Sequence, residues 1–188
     1  VLTLQDKLDW STGYSMDGID YNSSGLRVIP MSYDWDFEGT TQGWNLDPQG
    51  GWSHGYDNTL GSVSGVNSGA FAIYTYNGDY PNYMGGPFWA TSPVIDCSAC
   101  SGNWDLKFWK RLGVESHTYD KAYVSVKNGN NWVNIYSNPY SSTNDNSYVQ
   151  STYDVSTYIA GNSAFQVRFG LGPTDVSQTY TGWNVDDI

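Results

Sequence analysis

The segment Asp34-Trp35-Asp36-Phe37-Glu38-Gly39 spaces three carboxylates two residues apart. Side chains alternate between the two faces of a strand, so in a strand Asp34, Asp36 and Glu38 share one face and Trp35 and Phe37 take the other. Carboxylates held that close repel one another unless a positive charge neutralises them, and no Lys or Arg stands close by in the sequence. A hard cation is one partner that fits. Calcium suits best, because it accepts irregular sets of carboxylate, amide and carbonyl oxygens. The alternative is a solvated outer face with the carboxylates in water. A second acidic pair, Asp186-Asp187, stands in Gly182-Trp183-Asn184-Val185-Asp186-Asp187-Ile188. Terminal strands of a sandwich often pair, which would bring the two acidic groups together. Asp57, Asp79 and Asp120 read as turn residues that bond their own backbone.

Other chemistries lack their residues. Glycosidases need two carboxylates facing a cleft, and the Glu-x-Asp-x-x-Glu string of jelly-roll glucanases is absent. His54 and His117 are far apart, and neither sits in a His-Glu-x-x-His setting that could hold catalytic zinc. Gly61-Ser62-Val63-Ser64-Gly65 has valine where a nucleophile elbow has serine. The chain therefore reads as non-catalytic. Cys97 and Cys100 flank Ser98-Ala99 with no helical pattern after them, unlike a thioredoxin-type redox motif. They read as a short local disulfide in an oxidising compartment, or as two free thiols.

Aromatic residues are the other resource, with 9 Trp and 16 Tyr. Trp109, Trp132 and Trp183, on strands, read as core. Trp44, Trp52, Tyr56, Tyr80, Tyr83 and Tyr140, in loops, are candidates for sugar stacking or protein contact, with Trp44, Trp52 and Tyr83 foremost; ordinary loop packing is the alternative for each.

The elements that must position these residues are strands. Only 14% of the 188 residues are charged while 16% are aromatic and 21 are Gly, the reverse of a helical composition. Short segments rich in Val, Ile, Tyr, Phe and Trp are broken every eight to twelve residues or so by Gly, Asn, Pro and Ser, as in an all-β, two-sheet antiparallel β-sandwich. Strands are expected near Gly25–Ile29, Tyr33–Glu38, Ala70–Tyr76, Phe88–Ile95, Trp104–Leu112, Lys121–Lys127, Trp132–Ser137, Tyr148–Val155, Phe165–Gly170 and Thr181–Ile188. Asn128-Gly129 between two of them predicts a tight hairpin turn. With 8 Lys plus Arg against 19 Asp plus Glu, the formal net charge is -11, which rules out a phosphate backbone as the default partner. No run approaches the about 18 apolar residues of a membrane span. Acidity and abundant neutral polar residues suit a secreted protein of the extracellular space or cell surface. Residues 1–32 form a leading edge strand or linker segment, and residues 33–188 the sandwich domain.

The ordered series Asp36-Phe37-Glu38-Gly39, Gly43-Trp44, Asn67-Ser68-Gly69, Tyr80-Pro81-Asn82, Thr91-Ser92-Pro93-Val94-Ile95-Asp96, Leu106-Lys107-Phe108-Trp109, Tyr119-Asp120 and Gly182-Trp183-Asn184-Val185-Asp186-Asp187 resembles the MAM-like jelly-roll modules. These modules occur in secreted bacterial and archaeal proteins, including immune-inhibitor-A-type metalloproteases. The resemblance implies a concanavalin-like sandwich, usually non-catalytic, with structural calcium near the opening Phe-Glu and the closing Asp-Asp. Carried to this sequence, it nominates Glu38 and Asp187 first, Asp36 and Asp186 second, and Asn67 as a further oxygen donor. The Cys97–Cys100 pair departs from the family pattern, and the absence of the eukaryotic cysteines disfavours a receptor-type MAM domain.

Three functional expectations follow. The first is a calcium-stabilised extracellular sandwich for adhesion, interaction or surface assembly, its partners being copies of itself or another surface protein. The second is a filament or tube subunit joined by strand donation, with Val1–Leu8 as an imperfect donor, since Leu2, Leu4 and Leu8 alternate with polar residues. Pairing of Val1–Leu8 within its own sandwich is the alternative. The third is a carbohydrate-binding module, with neutral glycans favoured by the acidic surface.

Overall fold

Alternation of apolar and polar side chains builds the central strands. In the computed structural model, which describes residues 19–22, 25–28, 32–58 and 64–188, the strand Asp105–Val114 (β8) buries Leu106, Phe108, Leu112 and Val114. In Ala122–Asn128 (β9), Val124 and Val126 are buried while Tyr123 and Lys127 are partly exposed. β-branched and aromatic residues on a half-buried pleat are what such strands require.

The chain divides into two units, Val1–Tyr33 and Asp34–Ile188. The first contains an antiparallel hairpin of Ile19–Asn22 (β1) and Gly25–Val28 (β2). The donor candidate Val1–Leu8 lies outside the described residues.

The second unit is an antiparallel β-sandwich. Its short strands are Asn45–Leu46 (β3), Trp52–Gly55 (β4), Ala72–Thr75 (β5), Phe88–Thr91 (β6) and Ile95–Cys97 (β7); after β8 and β9 come Asn131–Ser137 (β10), Thr143–Asn144 (β11) and Val149–Asp154 (β12). A single helical turn, Ser156–Ile159 (α1), precedes Asn162–Phe165 (β13), Val167–Leu171 (β14) and Gly182–Asp186 (β15). One sheet runs β10-β9-β14-β6-β3; the other runs β11-β8-β15-β5-β4, with β12 also on β8, and β13 pairs with β7 apart from both. No helix among the described residues is long and apolar enough to cross a membrane.

Phe169 of β14 lies where the two sheets meet: its ring centroid is 4.9 Å from that of Phe108, 5.6 Å from Trp183 and 5.8 Å from Trp44. Phe108, Phe169 and Trp183 are fully buried, and each such side chain contributes about 1.5–3 kcal/mol by leaving water. Trp183 also donates its indole N–H to the Gly170 carbonyl at 2.9 Å, which satisfies its polar atom inside the core.

Two local expectations are corrected. The β9–β10 connection pairs Asn128 with Asn131 and places Gly129 at φ 60. The two-residue turn is therefore Gly129-Asn130, with glycine at the first central position, and not Asn128-Gly129. Residues 33–38 form no regular strand: Phe37 takes φ 58 and is fully buried. That left-handed step breaks the alternation that would have placed Asp34, Asp36 and Glu38 on one face.

Candidate functional site

The opening and closing acidic groups do meet. Trp35 and Ile188 exchange both backbone hydrogen bonds, at 2.9 and 3.0 Å, so Asp36 and Asp187 stand beside the same antiparallel pair. The loop around residues 67–71 folds over them. Asp186 Oδ2 accepts the amides of Asn67 (2.8 Å) and Ser68 (3.2 Å). Asp187 accepts from the Asn67 side-chain amide (2.7 Å) and the Ser68 hydroxyl (3.0 Å). Glu38 Oε1 accepts the amides of Ala70 and Phe71 at 2.8 and 3.1 Å. Asp36 instead folds back on its own loop, accepting from the Glu38 amide and the Gln42 side chain. Burial first, and then the Asp187 charge, push the Asp186 carboxyl up to about 6 against the amides that favour its ionised form. None of Glu38, Asp186 or Asp187 forms an ion pair with a described basic residue. The arrangement is a carboxylate clasp that ties residues 67–71 to both ends of the sandwich unit.

The loop aromatics divide. Trp44 and Trp52 are 4% exposed and offer no face to a ligand. Trp44 packs against Phe37 and Phe169 and meets Trp35 edge-on, and Trp52 donates to the Phe88 carbonyl. They are corrected to core: flanking glycines make them look like loop residues, and the chain closes over them. Tyr80 is likewise buried. Tyr83 and Tyr140 are 76% and 81% exposed. Cys97 and Cys100 are joined by a disulfide.

Trp132, read from sequence as core, is half-exposed. The register explains why. Lys127 faces Trp132 across β9 and β10, Ser125 faces Arg168, and Gly170 faces both Tyr123 and Trp89. Trp132, Arg168, Tyr123 and Trp89 therefore share the outer face of the five-stranded sheet. There the Arg168 guanidinium sits 3.7 Å from the Trp89 ring centroid and 4.0 Å from that of Trp132. Gly170 makes room: a Cβ there would collide with the Trp89 ring. The row continues from Trp89 to Tyr123 (6.2 Å), then to His117 (5.6 Å) and Tyr140 (5.6 Å). Arg168 Nε is buried without a hydrogen-bond partner, and burial lowers the Arg168 pKa to about 10. This stripe presents π-faces suited to stacking. Sequence reasoning missed it because Trp132-Val133-Asn134-Ile135-Tyr136 is apolar on both faces and gives no sign of which face is outside.

A different acidic group forms at the far end of β8. Among the described residues, Glu115, Asp120 and Asp175 are the His, Cys, Asp or Glu residues whose ligand atoms gather within 4.8 Å of one another. Asp120, expected to serve its own turn, is fully buried and accepts from the Tyr80 hydroxyl (2.6 Å) and the Asp175 amide (2.9 Å).

No family model matches the sequence, and no curated protein does. Solved structures are similar in fold. The C-terminal family 22 carbohydrate-binding module of Clostridium thermocellum Xyn10B superposes with a TM-score of 0.50 at 12% identity, over 82% of this chain and 89% of that one. The K2 cleaved adhesin domain of Lys-gingipain gives 0.47 at 15% identity, over 82% and 95%. The K1 cleaved adhesin domain of Lys-gingipain from Porphyromonas gingivalis W83 gives 0.43 at 18%, over 82% and 94%. At such identities the first likeness establishes the antiparallel β-sandwich and nothing finer.

Proposed function

We propose that this chain is a non-catalytic, extracellular adhesion module of the MAM-like type that binds neutral glycan along the outer face of its five-stranded sheet. The carrying observation is the Trp132–Arg168–Trp89–Tyr123–His117–Tyr140 stripe. Aromatic faces stack on the apolar faces of sugar rings. A net charge of -11 disfavours anionic glycans. That a carbohydrate-binding module shares the fold supports the use of such a sandwich for binding. Catalysis is disfavoured at the Glu115–Asp120–Asp175 group, because Asp120 is fully buried with both oxygens engaged and leaves no place for a glycosidic bond between the acids.

Affinity electrophoresis and calorimetry with soluble neutral polysaccharides test the reading. Trp132→Ala should weaken binding about tenfold or more, equivalent to about 1.4 kcal/mol, whereas Tyr83→Ala, off the stripe, should leave it unchanged. Uniformly negative polysaccharides, or binding indifferent to Trp132→Ala, would refute it.

Calcium at the terminal clasp is part of the proposal. The hard oxygens of Glu38, Asp187, Asp186 and Asn67 suit it, with Asp36 turned to its own loop, and Gly69, at φ 57, lets the loop approach Glu38 where a Cβ would collide. Chelator should lower the melting temperature of the wild type by more than that of Glu38→Gln; an equal shift in both, or none in the wild type, would remove this part.

A further inference from the structure

Glu115 is 5% exposed, yet its Oε2 has no hydrogen-bond partner. A buried carboxylate oxygen left bare costs about 1–3 kcal/mol or more, since charge raises the penalty. The charges acting on it make matters worse. Burial raises the Glu115 pKa, and Asp120 and then Asp175 raise it further. None of the three carboxylates forms an ion pair with a described Lys, Arg or His. Three acids converge, one of them with an unused oxygen, and the described residues supply no ion-pair partner.

We propose that Glu115, Asp120 and Asp175 form a binding site for a hard divalent cation, with calcium the best fit. The donors are all oxygen, with no His or Cys, which disfavours zinc. Size favours calcium over magnesium. Two oxygens bound to one calcium at about 2.3–2.6 Å can lie at most about 4.6–5.2 Å apart, against about 4.2 Å around magnesium. The three ligand atoms lie within 4.8 Å of one another, a spacing that a calcium sphere accommodates without contraction. Asp175 is only half-buried, so an ion has a way in.

The surroundings are built to hold the three acids in place. Tyr80, fully buried, donates to Asp120 and accepts the Glu115 amide at 3.2 Å. The Asn138 side-chain amide donates to the backbone carbonyls of Glu115 and Asp120 at 2.8 and 3.0 Å. The Asn138 side-chain oxygen contacts His117 Nδ1 at 2.9 Å, and the His117 amide donates to the Pro139 carbonyl. The Asp175 carbonyl accepts the Tyr83 amide at 2.7 Å. A cation here would tie the loops after β5, β8, β10 and β14 together and fix the His117–Tyr140 end of the aromatic row. The site is separate from the terminal clasp: Asp186 pairs with Trp109, six positions before Glu115, or roughly 20 Å along the strand.

The test is calorimetry of the full chain with calcium chloride at neutral pH. The wild type should bind calcium. Glu115→Gln and Asp175→Asn should each lower the calcium stoichiometry by one, while Glu38→Gln leaves this site intact. Magnesium should bind at least tenfold more weakly. Calcium binding unchanged in both Glu115→Gln and Asp175→Asn would overturn the proposal, as would a wild type that binds no calcium or loses all binding in Glu38→Gln alone. If a variant fails to fold by circular dichroism, the wild-type titration and the other variant still decide. Loss of the site with glycan binding intact would leave the adhesion reading standing; loss of glycan binding by Trp132→Ala alone would leave the cation site standing.

Discussion

Arg168→Ala removes a guanidinium that lies 3.7 Å from one indole and 4.0 Å from another. A cation–π contact contributes about 0.5–1 kcal/mol when exposed and about 2 kcal/mol when desolvated. Arg168 is half-buried, which puts each contact near about 1 kcal/mol and the pair near about 2 kcal/mol. In a unit of roughly 150 residues each kcal/mol moves the melting temperature by about 2–4 °C, so the variant should melt about 4–8 °C lower. Arg168→Lys keeps the charge but loses the flat group that both rings flank, and should recover no more than about half. Urea unfolding followed by tryptophan fluorescence, with scanning calorimetry alongside, measures the loss. A double-mutant cycle with Trp132→Leu should give a coupling near about 1 kcal/mol. Destabilisation by Arg168→Ala below about 0.5 kcal/mol, or a cycle additive within about 0.3 kcal/mol, would refute the reasoning and reduce the stack to a contact without energy.

Phe169→Ala should cost about 3–5 kcal/mol in urea unfolding, because the ring touches both sheets and its neighbours cannot close the gap. Gly170→Ala should cost about 1–3 kcal/mol by driving Trp89 off the sheet, read as a red shift in indole emission. Asp186 holds its proton more tightly folded than unfolded, from the ordinary 3.8 up to about 6. In chelator, stability should therefore fall as pH rises through that window, with Glu115 adding in the same direction; Asp186→Asn should flatten the melting profile, and a wild-type profile that rises between pH 4 and 6 would count against it.

The strands legible in the sequence are those whose two faces differ in chemistry. β8 and β9 announce their buried faces through Leu106, Phe108, Leu112, Val124 and Val126, and the structure places these inside. The short strands β3 and β4 escape such reading, since two to four residues carry no period. Carboxylates were visible as Asp36, Glu38, Asp186 and Asp187; their spacing misplaced the first group on a strand face, while the expected pairing of terminal segments brings the opening and closing groups together. Phe37 was not: nothing local says that a phenylalanine will take a left-handed backbone. Asp120 and Asp175 were the hardest to read. Each stands in a polar turn, and only the return of β14 beside β9 brings residues 55 positions apart to a hydrogen bond of 2.9 Å. Glu115 carries no motif at all, being the first residue after the last buried position of β8.

The reciprocal bonds between Trp35 and Ile188 decide how this unit answers to tension. In an antiparallel pair of this kind the chain before Trp35 and the chain end at Ile188 leave on the same side, with the hydrogen bonds lying across the strands. Traction between Asp34 and Ile188 therefore peels the pair open one contact at a time and never loads several bonds in parallel shear. The clasp over Asp186 and Asp187 is next in line, ahead of β15, which is flanked by β8 and β5. Whatever tightens the clasp would set the force at which the unit begins to yield, while the aromatic row on the opposite sheet stays off the line of pull.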